Sequence, residues 1–202
     1  MKRVITAVAT TCLATLGIVW LALVVVARTG AVDVAATADY VPGAEWFFST
    51  LSRESIRRQA GAAVAAGELL PRSEVDASTM RTGAQHYQEM CVVCHGAPGA
   101  RRGELGQGMK PQPPDLSHTA REWSAAEILW TLENGIRHTG MPAFGETHST
   151  DELQAIAAFV GRLDGMSPEE YRRLAGAPAG ESAGSSDAAA SDHDHGHSGD
   201  RH

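Results

Sequence analysis

The chain has 202 residues, with 17 basic and 24 acidic side chains and a formal net charge of −7 at pH 7. This length allows one modest domain with appendages, and a hydrophobic share of 43% is enough to build a core. The sequence has no basic patch of the kind that binds DNA or RNA. We therefore expect no nucleic-acid partner.

Residues 4–27 form an almost uninterrupted apolar run without a charged side chain. At about 1.5 Å per residue, a helix of this length reaches roughly 36 Å, enough to cross a hydrocarbon core of about 30 Å with some tilt. Lys2 and Arg3 precede the run, and such a positive flank keeps an N-terminus in the cytoplasm. We predict a transmembrane anchor in residues 1–28, with the rest of the chain outside the bacterial cytoplasmic membrane.

A cleaved signal peptide is the alternative, because Ala36-Thr37-Ala38 has the small-x-small form of a cleavage site. The hydrophobic region of a signal peptide is usually about 7–15 residues long, and this run is longer. The uncleaved anchor is therefore the favoured interpretation, and both interpretations export the remainder of the chain. Cys12, inside the run, is interpreted as a small membrane-buried residue.

Residues 29–78 are interpreted as a linker that contains one short helix, from Ser52 to about Ala66, in an alanine-rich stretch. The aromatic trio Trp46-Phe47-Phe48 lies ahead of this helix. It could contact the membrane interface, a partner or the following domain. Packing of a linker helix against that domain is an equally good interpretation.

Residues 79–175 carry the start signals of several helices. The first is expected to run from about Thr79 into a cysteine motif. The later start signals are two capping boxes and a proline at a first helical position: Ser124-x-x-Glu127, Ser149-x-x-Glu152 and Ser167-Pro168. Apolar side chains at helical spacing follow the capping boxes, and no segment shows sustained period-two alternation. The predicted fold class is therefore all-α.

Cys91-Val92-Val93-Cys94-His95 is the most informative motif of the chain. Two thiols three positions apart can form thioether bonds to the two vinyl groups of a haem, and the next histidine can bind the iron as proximal ligand. A thioredoxin-like thiol pair and half of a zinc site are the alternatives. Zinc needs two further ligands at short spacing, and neither alternative uses His95. We predict one covalently bound haem c, held by Cys91, Cys94 and His95.

Residues from about 80 to 165 resemble class I c-type cytochromes. Gly83 and Tyr87 lie eight and four positions before the first cysteine of the motif. In that family such a glycine and aromatic let the first helix cross the last at close range, and Ile156 and Phe159 match the pair on the last helix. A glycine without Cβ lets two backbones approach, and the rings fill the crossing. The resemblance implies a cytochrome c-like haem domain, which we place at residues 79–175.

A more particular resemblance is to the membrane-anchored monohaem cytochromes associated with bacterial dehydrogenases and terminal oxidases. Those proteins carry a similar Pro-Pro-Asp-Leu loop, here residues 113–116. The resemblance implies partners among membrane redox complexes: a dehydrogenase, a quinol-oxidising complex or a terminal oxidase.

Met141 is the candidate for the sixth ligand of the iron. It lies just before the last major helix, between Gly140 and Pro142, and class I cytochromes place their ligand methionine in such a Met-Pro loop. Thioether sulfur is a soft ligand, and His/Met ligation raises the reduction potential of a haem. Less well placed rivals are Met90, Met109, Met166, His86, His118, His138 and His148.

Two axial ligands leave the iron no open coordination position, so we expect electron transfer rather than catalysis. The chain is predicted to be an electron carrier and not itself an enzyme, with its haem domain in the periplasm or another extracytoplasmic space. The alternative is a haem-bearing subunit of a membrane oxidoreductase complex, in which another polypeptide carries out the substrate chemistry. An anchor suits both, because tethering raises the effective concentration near membrane partners.

Residues 176–202 are rich in Ala, Gly, Ser and Asp, and we expect them to be disordered. Within them, His193, His195 and His197 alternate with carboxylates or glycine. Imidazole binds Cu(II), Ni(II) and Zn(II), so the segment is a candidate metal site. A metal-handling role through this tail is a third hypothesis, ranked below electron transfer, because a disordered tail offers no preformed site.

Overall fold

The computed structural model describes residues 1–39, 41–69 and 75–176. The candidate tail site at His193, His195 and His197 lies outside these residues, as does the expected disorder after Gly176. The chain divides into two compact units, one from Met1 to Phe47 and the other from Phe48 onward.

The first unit contains helix α1, Lys2–Thr29, which ends at Gly30 in the left-handed conformation. None of the α1 side chains is buried within the structure. Its mean hydropathy over the most apolar 18-residue stretch is 2.3, and among the described residues it is the one helix long and apolar enough to cross a membrane. The helix includes the whole apolar run predicted from the sequence.

Helix α2 spans Ala44–Ala66, so it begins eight residues before the short helix expected at Ser52. In the second unit its side chains Ile56 and Ala60 are buried, with 3% and 1% of their surface exposed. Ala60 and Leu69 belong to the same apolar core as the helices that follow. This part of the expected linker therefore packs as part of the folded unit.

Helix α3, Ala77–His86, begins where the Asp76 carboxylate accepts a hydrogen bond from the Thr79 amide, 2.8 Å away. The chain continues through a π-helical turn, Tyr87–Cys91, into helix α4, Val92–His95. The cysteine motif thus lies at the end of a helical segment that starts close to the predicted position.

The remaining helical segments surround the same core. They are α5 Glu104–Gly108, α6 Leu116–Thr119, a 3₁₀ turn Ala120–Glu122, α7 Ala125–Asn134, α8 Thr150–Val160 and α9 Pro168–Ala175. Both predicted capping boxes are formed, at the starts of α7 and α8. Where the structure describes the chain there is no β-strand, only an isolated bridge between Ala97 and Ala100. The all-α prediction is confirmed.

The closest helix packing joins α3 to α8. A Cβ atom built on Gly83 would overlap the backbone of Ala155 and lie 2.7 Å from Cβ of Phe159. Tyr87, Phe159 and Tyr171 form an aromatic cluster beside this crossing, with ring centroids 5.4 to 6.2 Å apart. Tyr87 and Phe159 are fully buried. The glycine and the rings thus make the crossing expected from the resemblance.

Replacing Gly83 with alanine should lower the free energy of unfolding by about 2–3 kcal/mol, because a methyl group there must push two backbones apart. The measurement is denaturant unfolding of the haem-loaded protein in detergent, followed by helical circular dichroism.

Gly61→Ala is the matched control, since Gly61 lies in α2 and a Cβ there would meet nothing within 4 Å. That change should be neutral or stabilise by up to about 1 kcal/mol, because alanine favours a helix over glycine. Equal stability of the Gly83→Ala variant and the parent would contradict the close crossing.

Candidate functional site

The two thiols of the cysteine motif lie on consecutive turns of one helical segment. Cys91 closes the π-helical turn and Cys94 lies in α4. Cys91 is buried, and this burial raises the pKa of its thiol to about 12, with the neighbouring Cys94 adding to the shift. Reactive thiols of redox enzymes have lowered pKa values. The surroundings of Cys91 therefore disfavour the thioredoxin-like alternative.

The π-helical turn changes the register just before the motif. The Val92 amide donates its hydrogen bond to the Tyr87 carbonyl, five residues earlier, instead of four. One extra residue in a helical turn rotates the side chains that follow it, and such turns are frequent at functional sites. The turn therefore contributes to the direction in which the motif residues leave the helix. The sequence pattern carried no signal for it.

His95 is held by a backbone carbonyl from a distant loop. Its Nδ1 lies 2.8 Å from the Pro114 oxygen. A carbonyl can only accept a hydrogen bond, so Nδ1 carries the proton and Nε2 keeps its lone pair for a metal. Burial lowers the pKa of His95, although the bond to Pro114 opposes the shift, and the neutral imidazole is the form that binds metals.

The Pro-Pro-Asp-Leu loop is stabilised locally, immediately after the carbonyl that holds His95. The Asp115 carboxylate accepts hydrogen bonds from the Ser117 amide at 3.0 Å and the Ser117 hydroxyl at 2.5 Å, and so caps α6. The Pro-Pro-Asp-Leu loop, which is part of the resemblance, therefore also positions the Pro114 carbonyl that accepts from His95.

Tyr87 connects the helix before the motif to the chain after it. Its hydroxyl donates a buried hydrogen bond to the Gly96 carbonyl, 2.8 Å away. Burial is the main cause that raises the pKa of Tyr87, so the phenol remains a hydrogen-bond donor. The sequence predicted a packing role for this ring and missed the bond that its hydroxyl makes directly after His95.

Two glycines let the chain pack closely against the motif. A Cβ on Gly106 would lie 2.9 Å from Cα of Cys94, and one on Gly103 would lie 3.0 Å from the Val93 carbonyl oxygen. Side chains at these two positions would displace the cysteine motif. The sequence pattern carried no signal for these contacts.

Met141 lies in a loop between α7 and α8 and packs against the same core as Cys91. The loop is closed by the Ile136 amide, which donates to the Met141 carbonyl at 3.1 Å. The Thr139 hydroxyl donates to the Ile136 carbonyl at 2.7 Å and accepts from the Met141 amide at 3.1 Å. Both backbone groups of Met141 are therefore bonded within the loop.

Neighbouring chain segments leave this loop little space. Gly135 has a φ of 64°, and a Cβ on it would lie 2.8 Å from the Met141 carbonyl oxygen. A Cβ on Gly140 would lie 2.7 Å from the sulfur of Met109. The Met109 side chain therefore lies beside the backbone of Gly140. Gly135 also ends α7.

Two of the rival histidines lie beside each other. His86 and His148 come together as edge-to-face rings 6.0 Å apart, and His86 Nε2 lies 3.8 Å from a carboxylate oxygen of Glu152. His118 and His138 are exposed. Within the described ranges no group of three or more His, Cys, Asp and Glu side chains is arranged to hold a metal ion. The zinc-site alternative for the cysteine motif therefore gains no support from these residues.

Helix α2 is bound to the start of α7 by charged and aromatic contacts. The Arg53 guanidinium lies 4.9 Å from the ring centre of Trp123 and 2.7 Å from the Glu122 carboxylate. The Arg57 guanidinium lies 3.5 Å from the carboxylate of Glu127, the capping-box residue of α7. Both arginines therefore have partners on the folded unit.

Comparisons with known proteins match the part of the chain that contains the cysteine motif. Residues 78–160 match the family model described as cytochrome C oxidase, cbb3-type, subunit III. A quinohemoprotein alcohol dehydrogenase of Comamonas testosteroni is 27% identical over 104 residues, which cover 51% of this chain and 14% of that protein. The cbb3-type cytochrome c oxidase subunit FixP of Sinorhizobium medicae (strain WSM419) is 27% identical over 106 residues, 48% of this chain and 34% of FixP.

This chain therefore spans only a part of either relative. The residues around the motif nonetheless suit a covalently attached haem. Two thiols lie on one helical segment. In the imidazole that follows them, Nδ1 donates its proton to the Pro114 carbonyl, and the lone pair of Nε2 can bind a metal. A thioether side chain, Met141, packs against the same core.

Replacing Tyr87 with phenylalanine should cost about 1–3 kcal/mol of unfolding free energy, because the buried Gly96 carbonyl loses its donor and no water replaces it. The measurement is denaturant unfolding of the haem-loaded protein, with haem absorbance and circular dichroism as probes.

Tyr171→Phe serves as the matched control in the same aromatic cluster. Its hydroxyl donates to Gln88 Oε1 at 2.6 Å in a half-buried position, where water can replace it. This variant should lose clearly less stability, and a loss equal to that of Tyr87→Phe would argue against a special role for the Gly96 bond.

Proposed function

We propose, from the premise that residues 78–160 are a cytochrome c domain with one covalently bound haem c, that this chain transfers electrons at the outer face of a bacterial membrane. The observation that carries the proposal is the arrangement around the motif, in which a fixed imidazole follows two thiols on one helical segment. When bound, the haem supplies a one-electron couple between ferrous and ferric iron.

Cys91 and Cys94 form the thioether bonds, and His95 binds the iron through Nε2. The hydrogen bond from Nδ1 to the Pro114 carbonyl supports this assignment, because it fixes both the tautomer and the orientation of the ring. Gly103 and Gly106 support it as well, since they let a loop pack against the backbone of the motif.

Met141 is the sixth ligand. Its support is the Ile136–Met141 loop, whose hydrogen bonds hold both backbone groups of the methionine. A thioether binds iron weakly. A loop whose own hydrogen bonds hold it in place therefore favours ligation, because the weak bond to iron does not have to order the chain. Ligands held in the same positions in both oxidation states reduce the structural change that accompanies each electron transfer.

The chain is anchored by α1 and carries its haem outside the cytoplasm. The length and hydropathy of α1 support the anchor, and Lys2 and Arg3 before it support a cytoplasmic N-terminus. Covalent attachment of haem to a CxxCH motif in bacteria takes place on the outer side of the membrane, which is consistent with this orientation. The electron donors and acceptors are then membrane redox complexes or proteins beside them.

A haem-bearing subunit of a membrane oxidase complex is the second candidate. The match of residues 78–160 to a family described as subunit III of an oxidase favours it, and so does the likeness to FixP, which is named as an oxidase subunit. In both candidates the chain itself carries electrons and performs no substrate chemistry.

Met141→Leu should lower the reduction potential and abolish the far-red absorption band of methionine-ligated ferric haem, because leucine fills a similar volume but cannot bind iron. The measurements are a redox titration and absorption spectroscopy of the purified protein.

Met166→Leu is the matched control, as Met166 also packs against the core but lies beyond α8. It should leave both the potential and the band unchanged. A far-red band that persists in Met141→Leu would contradict the ligand assignment.

Purification of the full chain from membranes in mild detergent separates the two candidates. A subunit should elute at constant stoichiometry with an oxidase and be oxidised by oxygen together with it, since its contacts survive dilution. A tethered carrier should be lost on washing and yet restore oxygen-dependent oxidation when added back. A haem that no membrane complex oxidises or reduces would refute electron transfer as the function.

A further inference from the structure

We propose that Arg102 raises the reduction potential of the haem, because its guanidinium is held near the imidazole of His95. The inference rests on the proposed function, since it takes His95 as the proximal ligand of a covalently bound haem. It adds to that function a positioning residue that lies outside the cysteine motif and is not itself a ligand.

The backbone of Arg102 lies against the chain that leaves the cysteine motif. A Cβ atom on Gly96, the residue after His95, would lie 3.1 Å from the Arg102 amide nitrogen. The Arg102 carbonyl accepts a hydrogen bond from Gln107 Nε2 at 2.8 Å. The chain therefore returns at position 102 to the immediate neighbourhood of the proximal histidine, and a side-chain amide of the same loop holds it there.

The side chain of Arg102 reaches the loop whose carbonyl holds His95. Its Nη2 donates a hydrogen bond to Gln112 Oε1 at 3.0 Å, across ten positions of the chain. Gln112 lies two residues before Pro114, the residue whose carbonyl accepts from His95 Nδ1. Arg102 is half-buried, so part of its side chain is shielded from solvent. One residue therefore connects the chain after His95 to the loop that orients its ring.

The charge of Arg102 acts on His95. Burial is the main cause that lowers the pKa of His95, and the guanidinium lowers it further because it disfavours a positive charge on the imidazole. The bond to Pro114 and, more weakly, the Asp115 carboxylate oppose these effects. That carboxylate accepts from the Ser117 amide and hydroxyl, which partly compensate its charge. The guanidinium is thus close enough to the imidazole for its charge to be felt there.

A cation fixed at this place favours ferrous haem. Oxidation of the iron adds one positive charge to the site, and a nearby guanidinium raises the free energy of that ferric state. A partly buried charge is screened less by water and salt than an exposed one. The hydrogen bond to Gln112 keeps the charge of Arg102 in one place, whereas an unattached arginine would spread it over many conformations. Arg102 therefore raises the reduction potential.

The test compares the midpoint potentials of full-length haem-loaded variants in detergent at about 0.1 M salt, where the Debye length is about 10 Å. Arg102→Gln removes the charge and keeps a side-chain amide at the position. It should lower the ratio of ferrous to ferric haem at a given applied potential by about threefold. For a one-electron couple this change is a fall of about 30 mV in the midpoint potential.

Arg101→Gln is the matched control. Arg101 is exposed and directly precedes Arg102, so this change removes the same unit of charge from the same loop. Because water and salt screen an exposed charge strongly, the potential should fall clearly less than in Arg102→Gln. Arg102→Lys tests the charge itself. Lysine keeps it and can still donate to Gln112, so the potential should lie closer to that of the parent than to that of Arg102→Gln.

Equal falls in Arg101→Gln and Arg102→Gln would overturn the inference, because the net charge of the protein would then explain both. A potential of Arg102→Gln equal to that of the parent would overturn it as well, and so would equal potentials of Arg102→Gln and Arg102→Lys. If Arg102→Gln is obtained without haem, Gln112→Ala replaces it, since this exposed position can lose its side chain while the charge remains. The potential should then fall by part of the threefold change, and an unchanged potential would refute the role of the fixed guanidinium.

The absorption spectrum separates these results from a failure of the proposed function. Covalent haem with the same spectrum in the parent and the variants shows that the ligands are in place, and the potentials then decide the inference alone. A parent chain without covalent haem would instead refute the proposed function, and the inference with it. The same holds if His95→Ala leaves the haem spectrum unchanged, because His95 would then not be the proximal ligand.

Discussion

The backbones of α3 and α8 touch at Gly83, and this close crossing organises the cytochrome domain. α3 leads through the π-helical turn into Cys91, Cys94 and His95, and α8 follows the loop that carries Met141. Any side chain at position 83 would separate the two helices, since the backbone of Ala155 occupies the place of its Cβ. The aromatic cluster of Tyr87, Phe159 and Tyr171 fills the volume beside the contact. The segments that hold the proposed ligands are thus tied to one rigid crossing.

Backbone carbonyls and amides, rather than charged side chains, hold the proposed ligands of the iron. The Pro114 carbonyl accepts from His95, the Gly96 carbonyl accepts from Tyr87, and the loop around Met141 closes on its own amides. These hydrogen bonds come from chain segments that the core already fixes. Those segments therefore lose little conformational entropy when a cofactor binds. For an electron carrier this matters because ligands that do not move keep the structural change of each redox step small.

Helix α2 belongs to the folded unit through its second half. It packs Ile56 and Ala60 against the core. Its Arg53 guanidinium contacts Glu122, just before α7, and its Arg57 guanidinium contacts Glu127 in α7. A segment that the sequence predicted as part of a linker therefore contributes to the stability of the domain.

Much of this protein could be predicted from the sequence, because several signals are local. A capping box needs only four consecutive residues, an anchor needs only a long apolar run, and CxxCH is a contiguous motif. The capping box of Ser149 and Glu152 therefore indicated a helix start, residues 4–27 indicated an apolar helix, and Cys91 through His95 indicated a covalent haem, all without any knowledge of packing.

The remaining features depend on contacts between distant residues. The bond from His95 to Pro114 joins positions 19 residues apart, and that from Arg53 to Glu122 joins positions 69 residues apart. The approach of Gly135 to Met141 is likewise a consequence of packing, for which the local pattern carried no signal. The sequence by itself determined the cofactor and the helical class, since both are encoded in short contiguous segments. Only the tertiary structure decided which backbone groups hold the haem residues, because those partners meet only when the core has formed.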